Sequence, residues 1–130
     1  MKRIKIAQIG AGHDHAPAAI QTLKLLDQAG VYELVGYCVV PEDSGNIPAN
    51  SYDANKDSYK DVKQISLEEI LNYKGLDAVA IETEDRALTK YALLAAEKGL
   101  HIQMDKPGGI DGDEFDRLID AVESKKLVFH

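Results

Sequence analysis

Residues 4–17 read IKIAQIGAGHDHAP. The apolar run Ile4–Ile9 predicts a short strand that leads directly into Gly10-Ala11-Gly12. From residue 14 to residue 29, Ala18, Ala19, Leu23, Leu26 and Ala29 recur at helical spacing, so a helix follows the glycines. Pro17 falls in its first turn, where the missing N–H costs nothing, and Gly30 closes it. A Gly-x-Gly between a strand and a helix is the setting in which the motif marks a phosphate cradle. Gly10 allows the tight turn, and Gly12 lets the backbone approach a pyrophosphate with no Cβ in the way. The helix start adds free N–H groups and the positive end of its dipole. Gly10, Ala11, Gly12, His13 and Asp14 are therefore candidate cofactor-binding residues, with Asp14 also a candidate N-cap.

Working outward, strands and helices alternate. Residues 32–40 form a nearly continuous apolar run, as a strand buried on both faces would. Residues 41–55 are rich in Pro, Gly, Asn, Ser and Asp and read as the longest loop. A short strand is expected at 61–65. Ser66 and Glu69 have capping-box spacing at the start of a further helix. Then come a strand at 77–81, a helix at 86–98 closed by Gly99, and a strand at His101–Met104. A helix follows at 113–125, with Phe115, Leu118, Ile119 and Val122 on one face, and a last strand opens at 127–129. This order predicts an α/β doubly wound (Rossmann) fold. Its sheet would have about six mostly parallel strands, with helices on both faces. Ligands in such sheets sit at the carboxyl ends of the strands, at the switch point. The glycine loop, the Thr83 region and Lys106 all fall there.

Composition narrows the function. The chain is 130 residues long, enough for one domain (1–130) with an ordinary core. Its net charge of −7 disfavours a nucleic-acid partner. No apolar run approaches the roughly 20 residues of a membrane helix. The basic start Met1-Lys2-Arg3 is followed by too short an apolar stretch for a leader and reads as strand. The single Cys38 reads as core and points to a reducing, cytoplasmic setting.

Two features depart from the usual dinucleotide fingerprint. His15 stands at the third glycine position. The acid expected at the end of the second strand is replaced by Val39 and Val40, with Glu42 and Asp43 slightly later as groups that could reach a ribose hydroxyl. Residues 39–55 contain no Lys or Arg to meet a 2′-phosphate, so NAD is expected in preference to NADP. His13, Asp14 and His15 are adjacent in a turn and point in different directions, and no other ligand cluster is nearby in sequence, so no metal site is expected.

The second informative stretch is Met104-Asp105-Lys106-Pro107-Gly108-Gly109. It places a lysine directly after a strand, beside the same crevice, before an X–Pro bond that accepts the cis form at modest cost. With the stretches Asp77-Ala78-Val79-Ala80-Ile81-Glu82-Thr83 and Ala95-Ala96-Glu97-Lys98-Gly99-Leu100-His101-Ile102, it resembles the N-terminal domain of the glucose–fructose oxidoreductase / inositol dehydrogenase / MocA family. Asp105-Lys106-Pro107 matches that family's Glu-Lys-Pro, and Glu84 and Asp85 replace its Pro-Asn.

The resemblance implies an NAD(P)-dependent oxidoreductase acting on a sugar, polyol or related hydroxy compound. It implies Lys106 as the catalytic lysine, a cis Lys106–Pro107 bond that aims it into the crevice, and Val39, Thr83, Glu84, Asp85, Asp105, Lys106 and Pro107 beside the cofactor. It further implies a second, substrate-binding domain not contained in these residues, without which the chain is expected to be inactive, and a homo-oligomeric whole protein. The competing reading is a non-catalytic nucleotide-binding or regulatory module, which the missing ribose acid, His15 and Glu84-Asp85 favour. A fold for another adenosine ligand such as S-adenosylmethionine is disfavoured by the glycine loop and the lysine motif.

Overall fold

The protein is represented by a computed structural model that describes residues 1–44 and 47–130. The strands are β1 (Ile4–Ile9), β2 (Tyr32–Cys38), β3 (Ala78–Ile81) and β4 (His101–Met104). The helices are α1 (Ala16–Gln28), α2 (Tyr52–Asn55), α3 (Leu67–Leu71), α4 (Leu88–Glu97) and α5 (Gly112–Ser124). The sheet order is β2-β1-β3-β4, and every pairing is parallel. The chain starts in the middle of the sheet, winds outward to β2, then crosses back over β1 to β3. The switch point therefore lies between β1 and β3, at the carboxyl end where the glycines stand.

The sheet has four strands, not about six. The stretches expected as third and sixth strands each make a single bridge, Gln64 to Tyr37 and Phe129 to Ile102. Asp61 in the first stretch takes a left-handed φ of 65°, which breaks the extended run before it can pair further. The second strand also stops at Cys38 rather than residue 40.

The expected loop at 41–55 holds local helical structure: 3-10 turns at Pro41–Ser44 and Pro48–Asn50, then α2. Its Pro and Asx/Ser content favours such turns as much as irregular chain. Tyr52 beyond them joins Tyr37 and Tyr59 in an aromatic cluster.

Strand alternation divides the core. Ala7, Ile9, Val79 and Ile81 face α3, α4 and α5, with Ile70, Leu88, Leu118 and Val122 fully or nearly fully buried among them. Ile6 and Ala80 face the other way, onto Leu23 of α1. Helices thus cover both faces, α3, α4 and α5 on one and α1 on the other. The local signals that set α3 are present in full: Ser66 and Glu69 form a reciprocal capping box. α1 closes with a Schellman pattern, Gly30 N–H to the Asp27 carbonyl and Val31 N–H to that of Leu26. Its start differs from expectation, because His15 is the N-cap and makes no side-chain cap bond. Asp14 faces His13 instead of the helix N–H groups, with Oδ1 2.9 Å from Nδ1. No helix among the described residues is long and apolar enough to cross a membrane.

Candidate functional site

The carboxyl ends of β1, β3 and β4 bring Gly10–Gly12, Thr83–Asp85 and Asp105–Pro107 to one crevice. Gly10 holds φ of +88°, and a Cβ there would lie 2.6 Å from Thr83 Cβ, so glycine is required for β1 and β3 to close up. Its N–H donates to the Cys38 carbonyl at 3.0 Å, and the His13 N–H donates to the Glu82 carbonyl at 3.0 Å. A pocket of about 300 Å³ lies in front, lined by Gly12, Asp14, Asp85, Arg86 and Lys106 among others. Val39 lies apart from it, packed against the cluster of Ala11, Ile20, Tyr37 and Tyr59. Arg86 was not singled out from sequence, because a lone arginine at a helix start carries no local mark of a crevice.

The space over Gly12 belongs to Asp43. A Cβ on Gly12 would meet Asp43 Cα and Oδ1, both at 2.8 Å. The Asp43 carboxylate is wholly buried. It accepts the Val40 N–H at 2.7 Å and the Thr83 hydroxyl at 2.8 Å, and the N–H groups of Ala11 and Gly12 face it as well. Burial pushes this carboxyl above its ordinary value, while those donors pull it back. The other acid after the second strand, Glu42, is also engaged, by Tyr91 Oη at 2.7 Å and Lys90 Nζ at 2.9 Å. As placed, these residues do not fit a pyrophosphate in the glycine cradle. The His13 N–H is taken by the Glu82 carbonyl, those of Ala11 and Gly12 face the Asp43 carboxylate, and that carboxylate stands where the phosphate charge would go.

The lysine side of the crevice is differently built. The Lys106–Pro107 bond is cis, as expected. Lys106 N–H donates to Asp105 Oδ1 at 2.8 Å, and its carbonyl lies 2.9 Å from His13 Nε2. Those two contacts pin the backbone and leave the side chain exposed at the pocket. Behind it, His15 Nδ1 sits 3.0 Å from Asp105 Oδ2. Burial works against the Asp105 charge, but the Lys106 N–H and the two histidines outweigh it and hold the carboxyl below its ordinary value. Next to it, burial and then the Asp105 charge push the Glu82 carboxyl up to about 8. Glu82 is 1% exposed, and its carboxyl shares a side-chain hydrogen bond with Asp105.

Residues 4–130 match the family described as "Oxidoreductase family, NAD-binding Rossmann fold", Gfo/Idh/MocA. The chain belongs to this family. Solved structures agree on the fold. An NAD-binding protein from Listeria innocua superposes with a TM-score of 0.73 at 21% identity, covering 99% of this chain and 34% of that one. UDP-N-acetylglucosamine 3-dehydrogenase GnnA from Acidithiobacillus ferrooxidans gives 0.69 at 21% identity, covering 99% and 38%. An oxidoreductase from Thermotoga maritima gives 0.70 at 17% identity, covering 99% and 37%. The chain thus spans little more than a third of the length of the structures it resembles.

Proposed function

We propose that this Gfo/Idh/MocA chain is the dinucleotide-holding part of an oxidoreductase acting on the C–OH of a sugar, polyol or related hydroxy compound, with Lys106 as its catalytic lysine. The observation that carries this reading is the placement of Lys106. Its backbone is fixed by His13 and Asp105 while its side chain is free at the crevice. A cation held there lowers the cost of negative charge developing on a substrate oxygen as its proton leaves. The opposite wall of the substrate site is assigned to residues beyond this chain. The 130-residue chain by itself is therefore proposed to lack turnover and to act within a homo-oligomer in the cytoplasm.

NAD is preferred over NADP. The cations that the fold brings near the end of β2 are already paired, Lys90 with Glu42 and Arg86 with Glu84. Binding of either cofactor requires the Pro41–Ser44 turn to carry Asp43 out of the glycine cradle. That requirement favours one alternative, a non-catalytic module whose cradle is permanently filled by its own carboxylate. Dehydrogenase assays with a panel of polyols and sugars, on this chain and on a longer gene product, separate the two. Activity in the longer product, lost in Lys106→Ala and absent from the 130-residue chain, supports the enzyme reading. Turnover by the short chain alone refutes the division of labour. Inactivity of both with every substrate favours the module.

A further inference from the structure

His13 and His15 are two positions apart, and the fold adds Asp105 from the end of β4, so that one ligand-type atom from each lies within 4.8 Å of the others. His15 Nδ1 is 3.0 Å and His13 Nδ1 3.6 Å from Asp105 Oδ2. A tetrahedral ion with bonds of about 2.0–2.1 Å spaces its ligand atoms roughly 3.3 Å apart, and the two separations to Asp105 bracket that value.

The protonation pattern points the same way. His13 Nε2 faces the Lys106 carbonyl, which can only accept, so in the neutral ring Nε2 carries the hydrogen and Nδ1 the lone pair. A histidine that donates one nitrogen to a backbone carbonyl and presents the other is oriented as metal-bound histidines are. Yet Nδ1 faces Asp14 Oδ1 at 2.9 Å as well as Asp105. Its hydrogen-bond donor is the His15 backbone N–H at 3.1 Å. Acceptors converge on acceptors, which either a second proton on the His13 ring or a cation among them relieves.

Next to these three groups the Glu82 carboxyl is buried against Asp105, with which it shares a side-chain hydrogen bond. An approach route exists too: an open pocket of about 380 Å³ on the α1 side of the sheet is lined by His15, Glu82 and Asp105 among others. It is separate from the crevice pocket at Lys106.

We propose that His13, His15 and Asp105 form a binding site for a divalent transition-metal ion of the zinc class. Imidazole and carboxylate donors without thiolate suit zinc and its neighbours in the first transition row. The ion takes the place of the proton between His15 and Asp105. It also draws Asp105, and with it the Lys106 backbone, against the glycine loop.

The test uses the chelator-treated 130-residue chain. Cobalt(II) is titrated with visible absorption as the readout and then displaced with zinc. The expected result is one ion per chain, with the intense bands of a low-coordinate site. Binding should weaken about tenfold or more in His15→Ala and in Asp105→Asn, and stay unchanged in His101→Ala. Zinc should also raise the melting temperature of the parent chain and not that of His15→Ala. His15 has a side chain 53% exposed, so its removal leaves the fold in place and decides the matter if Asp105→Asn unfolds. Absence of saturable binding overturns the proposal. So does binding that survives His15→Ala, which would place the ion on surface carboxylates or on His101 and His130.

Discussion

The Asp43 carboxylate accepts the Thr83 hydroxyl at 2.8 Å, a contact between residues 40 apart in the chain that crosses the switch point of the sheet. It ties the turn after β2 to the end of β3, directly over Gly12. The glycine loop therefore has two physical reasons for its composition. One, proposed from the motif, is the approach of a phosphate. The other, visible in the structure, is the approach of Asp43.

Gly12→Ala separates them. The new Cβ would press on Asp43 Cα, which is backbone and cannot swing away. Overpacking of this kind costs about 1–3 kcal/mol, so the variant should be destabilised with no cofactor present. Urea unfolding of parent and variant gives the difference. Equal midpoints would mean that the turn yields freely and that Asp43 is not held tightly over the loop.

The Glu82 carboxyl gives the protein a pH signature. Its value is raised from 4.5 to about 8, so the folded state holds this proton more tightly than the unfolded chain does. The resulting stability is complete below the unfolded value and is lost as pH rises through the folded one. In chelator, unfolding free energy should fall between about pH 5 and pH 8, by at most about 1.4 kcal/mol per unit. Glu82→Gln should flatten the profile across that window and be the more stable protein at its upper end. An unchanged slope in the variant would show that Glu82 is not the titrating group.

Ser66→Ala should destabilise the chain by about 0.5–2 kcal/mol, because it removes the acceptor for the Glu69 N–H at the start of α3. Thermal melts measure it. A neutral result would mean that the Leu67–Leu71 helix is held by Ile70 packing alone.

What the sequence made legible was local. The His101–Met104 strand, the capping box at Ser66 and the glycine end of α1 depend on residues a few positions apart, and each stands where it was expected. The lysine motif was legible through its family resemblance. Strand count was not. Whether 61–65 and 127–129 pair over one residue or several depends on how far each follows its neighbour, which no apolar pattern records. The site was legible as a list of residues but not as a set of contacts. Asp105 meets His15 across 90 positions and Asp43 meets Thr83 across 40, so the separations in sequence concealed both clusters. Glu82 carried the one early mark, a charged residue directly after the apolar run Ala78–Ile81.

Titration calorimetry with NADH and NADPH, on the parent chain and on Asp43→Ala with folding checked by circular dichroism, tests most directly whether the crevice between β1 and β3 is a dinucleotide site whose cradle Asp43 fills. Binding to the parent should be weak, NADH ahead of NADPH, with a gain of about tenfold or more on removing Asp43, since a competing internal anion lowers apparent affinity by the fraction of time it occupies the site. Tight binding by the parent that is lost in a folded Asp43→Ala would contradict it, because Asp43 would then hold the cofactor rather than exclude it.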